Sequence, residues 1–446
     1  MILGVWAVCE MRIHAGAAPI GGIGTDVIVG DIPDIRKWGS SGGESSFSVA
    51  TTSCNIGDQP LTWIANSPLH PAISQNLYRV KDGRIEQLGQ SWLKHGFFAL
   101  QGSLCSTCTP NPNGSALGVG CSDPYGASLN GQQSPFGDGT GGLGPRSEVN
   151  AATGVFTWPP RRLSGAEQGL FGGRIRVANS DLEPALNSGA RYFVASHYAH
   201  PEDSQAGNNS NSTSYREAFV SGTGNSVDVN VGSAQTVRMQ PAINAWQAVH
   251  SDVELFAVDI PNDGRVVVGV RTTSNGKGYH TEVAIENQTS HQSVRGLEID
   301  HCSGSTMNPG FNDVDYHAEN YSGADWTPTM NGSTIEWDTE TFAQNQNANA
   351  IRWGTLYSFW YDSDAQPSSL TLHFFRSGTI SEHTIELDVE VVLGDLNGDG
   401  VVNLLDVDPF VNAVGNGIYS CEGDVNEDGV INLLDVEPFI AILSGG

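Results

Sequence analysis

Oxygen-bearing residues recur at fixed intervals in Asp395-Leu-Asn397-Gly-Asp399-Gly400-Val401-Val-Asn403-Leu404-Leu405-Asp406. The same order returns 29 residues later in Asp424-Val-Asn426-Glu-Asp428-Gly429-Val430-Ile-Asn432-Leu433-Leu434-Asp435. Side-chain oxygens fall at loop positions 1, 3, 5, 9 and 12, with a glycine at 6 where a chain wrapping a cation must turn sharply. Three carboxylates, two asparagine oxygens and the backbone carbonyl of Val401 or Val430 make a set suited to Ca²⁺ rather than the stricter Mg²⁺. Two calcium sites are therefore expected.

A second constellation, Asp313-Val-Asp315-Tyr-His317, gathers two carboxylates and an imidazole within five residues. If this stretch is a strand, its period of two puts Asp313, Asp315 and His317 on one face. Such a face could hold a metal or do acid/base work on a sugar, because glycoside cleavage uses paired carboxylates. These three are the candidate catalytic residues, and the plainer alternative is the polar outer face of a β-sandwich.

Other pairs have weaker support. Lys94-His95, beside Trp92 and Phe97, could be an acid/base pair or simply a strand end packed on a tryptophan. His197 and His200 could share a metal on one helical turn, less favourably on a strand or loop, and with no third ligand recognisable the alternative is a structural or solvent-exposed pair. The glycine-rich run from Gly137 to Arg146 is not followed by Gly-Lys-Ser/Thr, so it reads as a long surface loop. Trp326, Trp337, Trp353 and Trp360 could stack on sugar rings, with core packing as the default. No nucleophile elbow, His-Glu-x-x-His helix or cofactor fingerprint is present, which removes support from serine hydrolase, zincin and nucleotide readings.

The elements that must position these residues are mostly strands. Short apolar runs such as Asp26-Val-Ile-Val, Arg191-Tyr-Phe-Val-Ala, Arg265-Val-Val-Val-Gly-Val and Leu370-Thr-Leu-His-Phe alternate with turns, among them Asp82-Gly83 and Asn262-Asp263-Gly264. Even spacing of this kind predicts antiparallel sheets packed face to face. The fold class expected is mainly β: antiparallel sandwich regions followed by a small α-helical, EF-hand-like module. Residues 1–24 read as an atypical or clipped export leader, 25–154 as a β-rich region with disulfides, 155–392 as a β-sandwich region and 393–446 as the calcium module.

Composition narrows the partners. A formal net charge of −28 with only 21 Lys plus Arg argues against nucleic acid, which needs a basic patch. No apolar run reaches the length of a membrane span. Four of the seven cysteines lie between Cys54 and Cys121; two structural disulfides fit them better than zinc, with the pairing open. Cys302 and Cys421 could pair or stay free.

The two C-terminal loops resemble those of dockerins, duplicated calcium modules that tether secreted proteins to cohesin domains. Aspartate at position 12, as in Asp406 and Asp435, and a helix after each loop carry this resemblance, which covers residues 394 to 443. Where dockerins often place hydroxyl residues at positions 10 and 11, this chain has Leu404-Leu405 and Leu433-Leu434, so the choice of cohesin does not carry over. Asp408-Pro409 and Glu437-Pro438 imply shortened or restarted helices. The larger region is similar to uncharacterised secreted proteins of planctomycete-type bacteria, on Ser91-Trp-Leu-Lys-His-Gly-Phe97, Cys121-Ser-Asp-Pro-Tyr125, Leu143-Gly-Pro-Arg-Ser-Glu-Val149 and Asp313-Val-Asp-Tyr-His317. That likeness implies location and architecture, not a reaction.

Three functions follow as expectations. The first is a secreted or cell-surface, calcium-dependent β-protein that docks to a cohesin-like protein or surface scaffold, in polysaccharide binding or breakdown. The second is a polysaccharide-active hydrolase carried by the module. The third is a non-catalytic structural protein of a surface layer or fibre, which would self-associate.

Overall fold

The computed structural model describes residues 11–12, 21–96, 98–276, 278–301, 305–315, 319–388, 391–398, 400–426 and 428–445. The leader expectation falls almost wholly outside them, as do Phe97, Cys302, His317 and Asp399. The chain is mainly β, with several antiparallel sheets. No helix among the described residues is long and apolar enough to cross a membrane.

Two sandwiches form the body. In the first, Ala72–Lys81 lies at the middle of a large sheet, pairing with Arg84–Gln90 and Leu93–His95 on one side and Arg191–Ala199 on the other; Thr213–Ser221 and Asp228–Val231 continue outward. Facing it are two three-stranded sheets, Val27–Asp31 with Thr51–Asn55 and Ser122–Tyr125, and Ile35–Ser41 with Glu44–Val49 and Ile175–Ala178. The boundary expected at 154/155 runs through this sandwich, because Ala72–Lys81 pairs along its length with Arg191–Ala199. Strands far apart in sequence exchange backbone hydrogen bonds here, and no local pattern marks that pairing.

In the second sandwich, Glu254–Asp259, Arg265–Ser274, Tyr279–Asn287, Leu356–Ser363 and Thr306–Asn312 form the inner sheet, with Met11–Arg12 pairing at its edge. The outer sheet runs Thr327–Asn331, Thr334–Asp338, Val294–His301, Pro367–Phe374 and Glu382–Glu386.

The two inner sheets stand back to back, and the sequence pattern follows from that. Tyr192 and Val194 enter the core of the first sandwich, while Phe193 and Ala195 join a separate core between the sandwiches. Val266, Val268 and Val270 fill the second sandwich, and Val267 turns to the shared core. Strands buried on both faces read as continuous apolar runs. The outer sheet instead alternates: Leu297, Ile299, Ile335, Leu370 and Leu372 point inward, leaving Glu298, Glu336, Thr371 and His373 outside.

Local turns behave as expected. Asp82 and Gly83 both have positive φ, 52° and 91°, the backbone of a tight hairpin turn between Lys81 and its partner Arg84. Cys54 bonds Cys105 and Cys108 bonds Cys121, two bridges that fit maturation in an oxidising compartment. Cys421 is disulfide-bonded as well.

At the C-terminus, each repeat is a loop followed by a helix, Val407–Asn416 and Val436–Leu443. Pro409 and Pro438 do not shorten or restart them. Each sits in the first turn, where its missing N–H would have no intrahelical partner anyway.

Candidate functional site

Asp313 and Asp315 follow the Thr306–Asn312 strand directly, and the strand ends before them. The expected one-faced strand is therefore absent at this point; Val314 is buried, Asp313 half-buried and Asp315 exposed. The two aspartates nonetheless line one cleft, of about 570 Å³, between the sandwiches. Its other wall comes from the first sandwich and carries Glu44, Arg79, Glu86, Arg176 and Asp181. His317 lies outside the described residues.

The walls are held by ion pairs. Arg176 grips Glu44, with Nε 2.7 Å from Oε1, and Arg79 pairs with Glu86 and Asp181. Gln90 Nε2 donates to the Asp315 carbonyl at 3.2 Å, tying the first sandwich to the loop. Asn349 clamps Asp313 by donating Nδ2–H to its Oδ2. The Asn349 amide is itself set by the Tyr357 hydroxyl, 2.6 Å from its Oδ1, and by the Ala324 carbonyl. Burial pushes the Asp313 carboxyl up to about 6; the Asn349 hydrogen bond opposes this, and Asp325 and Asp315 add to it. A half-buried carboxyl whose pKa is raised toward neutrality, beside an exposed one, is an arrangement able to give and take a proton. Asn349 and Asp325 had no sequence signal, since an isolated Asn or Asp marks nothing by itself.

The C-terminal loops turn their end carboxylates inward. Asp395, Asp406, Asp424 and Asp435 are all buried. Asp395 accepts from the amides of Gly398 and Gly400 at 3.0 and 2.7 Å, and Asp424 accepts from those of Asp428 and Gly429 at 3.0 and 2.8 Å. At the other end of each loop, Asp406 accepts from Asn397 and Asn403, and Asp435 from Asn426 and Asn432. Asn403 and Asn432 each accept from the amide two residues on, at 2.8 Å. Gly400 and Gly429 take φ of 82° and 85° at the sharp turn, a conformation other residues resist. Val401 and Val430 are exposed, and Asp399 lies outside the described residues. Phe410 and Phe439 stack at 4.0 Å with an interplanar angle of 11°, joining the two repeats. Leu404, Leu405, Leu433 and Leu434 are 67–81 % exposed.

The remaining candidates are structural. His197 is buried, with Nδ1 2.9 Å from the Thr213 hydroxyl; His200 caps the Pro201–Ala206 helix, accepting from the Glu202 amide. They share no ligand position. Trp326, Trp337 and Trp353 are buried, and Trp360 lies under the Arg84 guanidinium at 3.3 Å. The glycine-rich run is a surface loop only in its first part, since residues 140–146 are buried.

No family model matches this sequence, and no curated protein matches it. Among solved structures, a chain from the structure of manganese lipoxygenase of Gaeumannomyces graminis and partial zonadhesin of Komagataella pastoris matches at 7 % identity. The match covers 80 % of this chain and 93 % of that one with a TM-score of 0.21, too low to carry an argument.

Proposed function

We propose that this is a secreted, calcium-dependent β-protein whose C-terminal module docks it to a cohesin-like protein or surface scaffold. The observation that carries this is the paired loops, each burying its first and last aspartate against loop amides. Four buried carboxylates in so small a unit need positive charge, and the donor set is the oxygen-rich one calcium takes. Asp395, Asn397, Asp399, Asn403 and Asp406, with the Val401 carbonyl, would hold one ion; Asp424, Asn426, Asp428, Asn432 and Asp435, with the Val430 carbonyl, the other. When bound, the ion supplies the charge that lets each loop close. The exposed leucine pairs offer the apolar surface on which a partner would sit. The Cys54–Cys105 and Cys108–Cys121 disulfides suit an extracellular destination.

Hydrogen exchange on the full chain tests this reading. Chelation is expected to abolish protection across residues 394–443 while the sandwich strands keep theirs, because an apolar helix pair of this size cannot offset the carboxylate repulsion. Protection there that ignores calcium would refute it. Calcium-dependent pull-down then separates a scaffold partner from self-association in a layer or fibre.

The inter-sandwich cleft favours a second reading, in which the body is a polysaccharide-active hydrolase. Asp313, protonated below about pH 6, would act as the acid and Asp315 as its partner carboxylate. Across a glycan panel, Asp313→Asn and Asp315→Asn are each expected to cut sugar release at least a hundredfold with the fold intact. Absence of cleavage by the unaltered protein removes this reading and leaves the docking one standing.

A further inference from the structure

We infer that Glu298, Glu336 and His373, on the solvent face of the second sandwich's outer sheet, form a binding site for a divalent transition-metal ion of the zinc class. One donor atom from each lies within 4.8 Å of the other two. The register creates this. Glu298 stands opposite Glu336 on the neighbouring strand, and His373 stands opposite Gly296 on the strand between. A Cβ at position 296 would meet His373 Cδ2 at 3.1 Å, so the glycine leaves the imidazole room to lie across the strand toward the two carboxylates.

The distances leave room for an ion between these side chains. His373 Nε2 is 3.8 Å from Glu298 Oε2, too long for a hydrogen bond. Tetrahedral ligands about 2.0–2.1 Å from zinc stand roughly 3.4 Å apart, so a small side-chain adjustment closes the site. The other ring nitrogen, Nδ1, faces Glu382 Oε2 at 3.5 Å from the next strand. A carboxylate behind the imidazole is the arrangement that orients a metal-bound histidine. Like charge accumulates as well. Glu298 stands opposite Glu336 and Asp300 follows two residues along the same strand face, so a bound cation would relieve carboxylate repulsion there. An imidazole with two carboxylates suits zinc or its transition-metal neighbours, whereas the all-oxygen C-terminal loops suit calcium. Three protein ligands leave a position open to water, and the ion would pin three adjacent strands of the outer sheet together.

The test uses the full chain in saturating calcium, so that the C-terminal loops do not compete. Zn²⁺ is titrated against a chromogenic chelator, and Co²⁺ is read by its visible absorption. The expected result is one Zn²⁺ per chain bound with micromolar affinity. His373→Ala and Glu298→Gln should each weaken it at least tenfold and bleach the cobalt bands, while His291→Ala changes neither. Glu298→Gln preserves side-chain shape, so an unfolded His373→Ala protein would not spoil the experiment. No zinc uptake, or unchanged affinity in Glu298→Gln, overturns the assignment.

Discussion

Lys94 and His95 are consecutive in the Leu93–His95 strand, so their side chains leave opposite faces and cannot act on one substrate atom. His95 Nδ1 sits 3.1 Å from His70 Nε2 among Phe156 and Trp158, whereas Lys94 Nζ lies 5.9 Å from the Phe136 ring centroid. Burial, and then the charge of Arg162, push the Lys94 ammonium from 10.5 down to about 7. Below pH 7 the folded state therefore carries the full cost of the buried cation. As pH rises from 7 toward 10.5 the unfolded chain loses its proton too, and that cost fades. Lys94→Met is thus expected to raise the unfolding free energy at pH 6.5 by on the order of a few kcal/mol, with little gain left at pH 10. Denaturant melts at the two pH values check this, and an equal gain at both would mean packing, not charge, is responsible.

Elements differ in how much of themselves they show in sequence. The hairpin at Asp82-Gly83 and the turn at Asn262-Asp263-Gly264 were readable because their backbones demand particular residues within four positions. The glycine turn and following helix of each C-terminal repeat were readable for the same reason, because their signals are local. The pairing of Ala72–Lys81 with Arg191–Ala199 was not, since two doubly buried strands carry the same apolar run whichever neighbour they choose. The cleft was half readable. Asp313 and Asp315 stood out as a pair, but the Glu44, Arg79 and Arg176 wall and the Asn349 clamp come from distant stretches joined only by the fold. Within the C-terminal module, the repeats share one apolar cluster centred on the Phe410–Phe439 stack, with Leu396, Val425 and Ile442 around it. Truncating a buried phenylalanine costs about 3–5 kcal/mol, a large share of what so small a core can hold. Phe439→Ala is therefore expected to remove hydrogen-exchange protection from the Val407–Asn416 helix of the other repeat, even in calcium. Protection lost only in Val436–Leu443 would show that the repeats fold separately.

At the scale of the whole molecule, the two sandwiches are joined by a core of their own. The helix Ile243–Val249 wedges into it, placing Trp246 against Leu255 and over Gly269, where a Cβ would meet the indole at 3.0 Å. The Trp246 indole N–H donates to the Gly83 carbonyl of the first sandwich at 2.8 Å, so one side chain bonds to one sandwich and packs on the other. Polar contacts reinforce the join: the Leu356 amide donates to Gln87 Oε1 at 2.7 Å, and Asn76 Nδ2 to the Gly354 carbonyl at 3.1 Å. The cleft holding Asp313 and Asp315 has one wall from each sandwich, so its shape depends on this junction. Apolar surface shared between units makes them unfold together, and its loss lets them part. Scanning calorimetry in calcium is expected to show one main transition for the body. Trp246→Ala should lower and split it into two, at a cost of about 3–5 kcal/mol, and should open the cleft enough to impair any glycan binding measured there. A single unsplit transition in Trp246→Ala would mean the rest of the shared core and the polar contacts hold the sandwiches together without the indole.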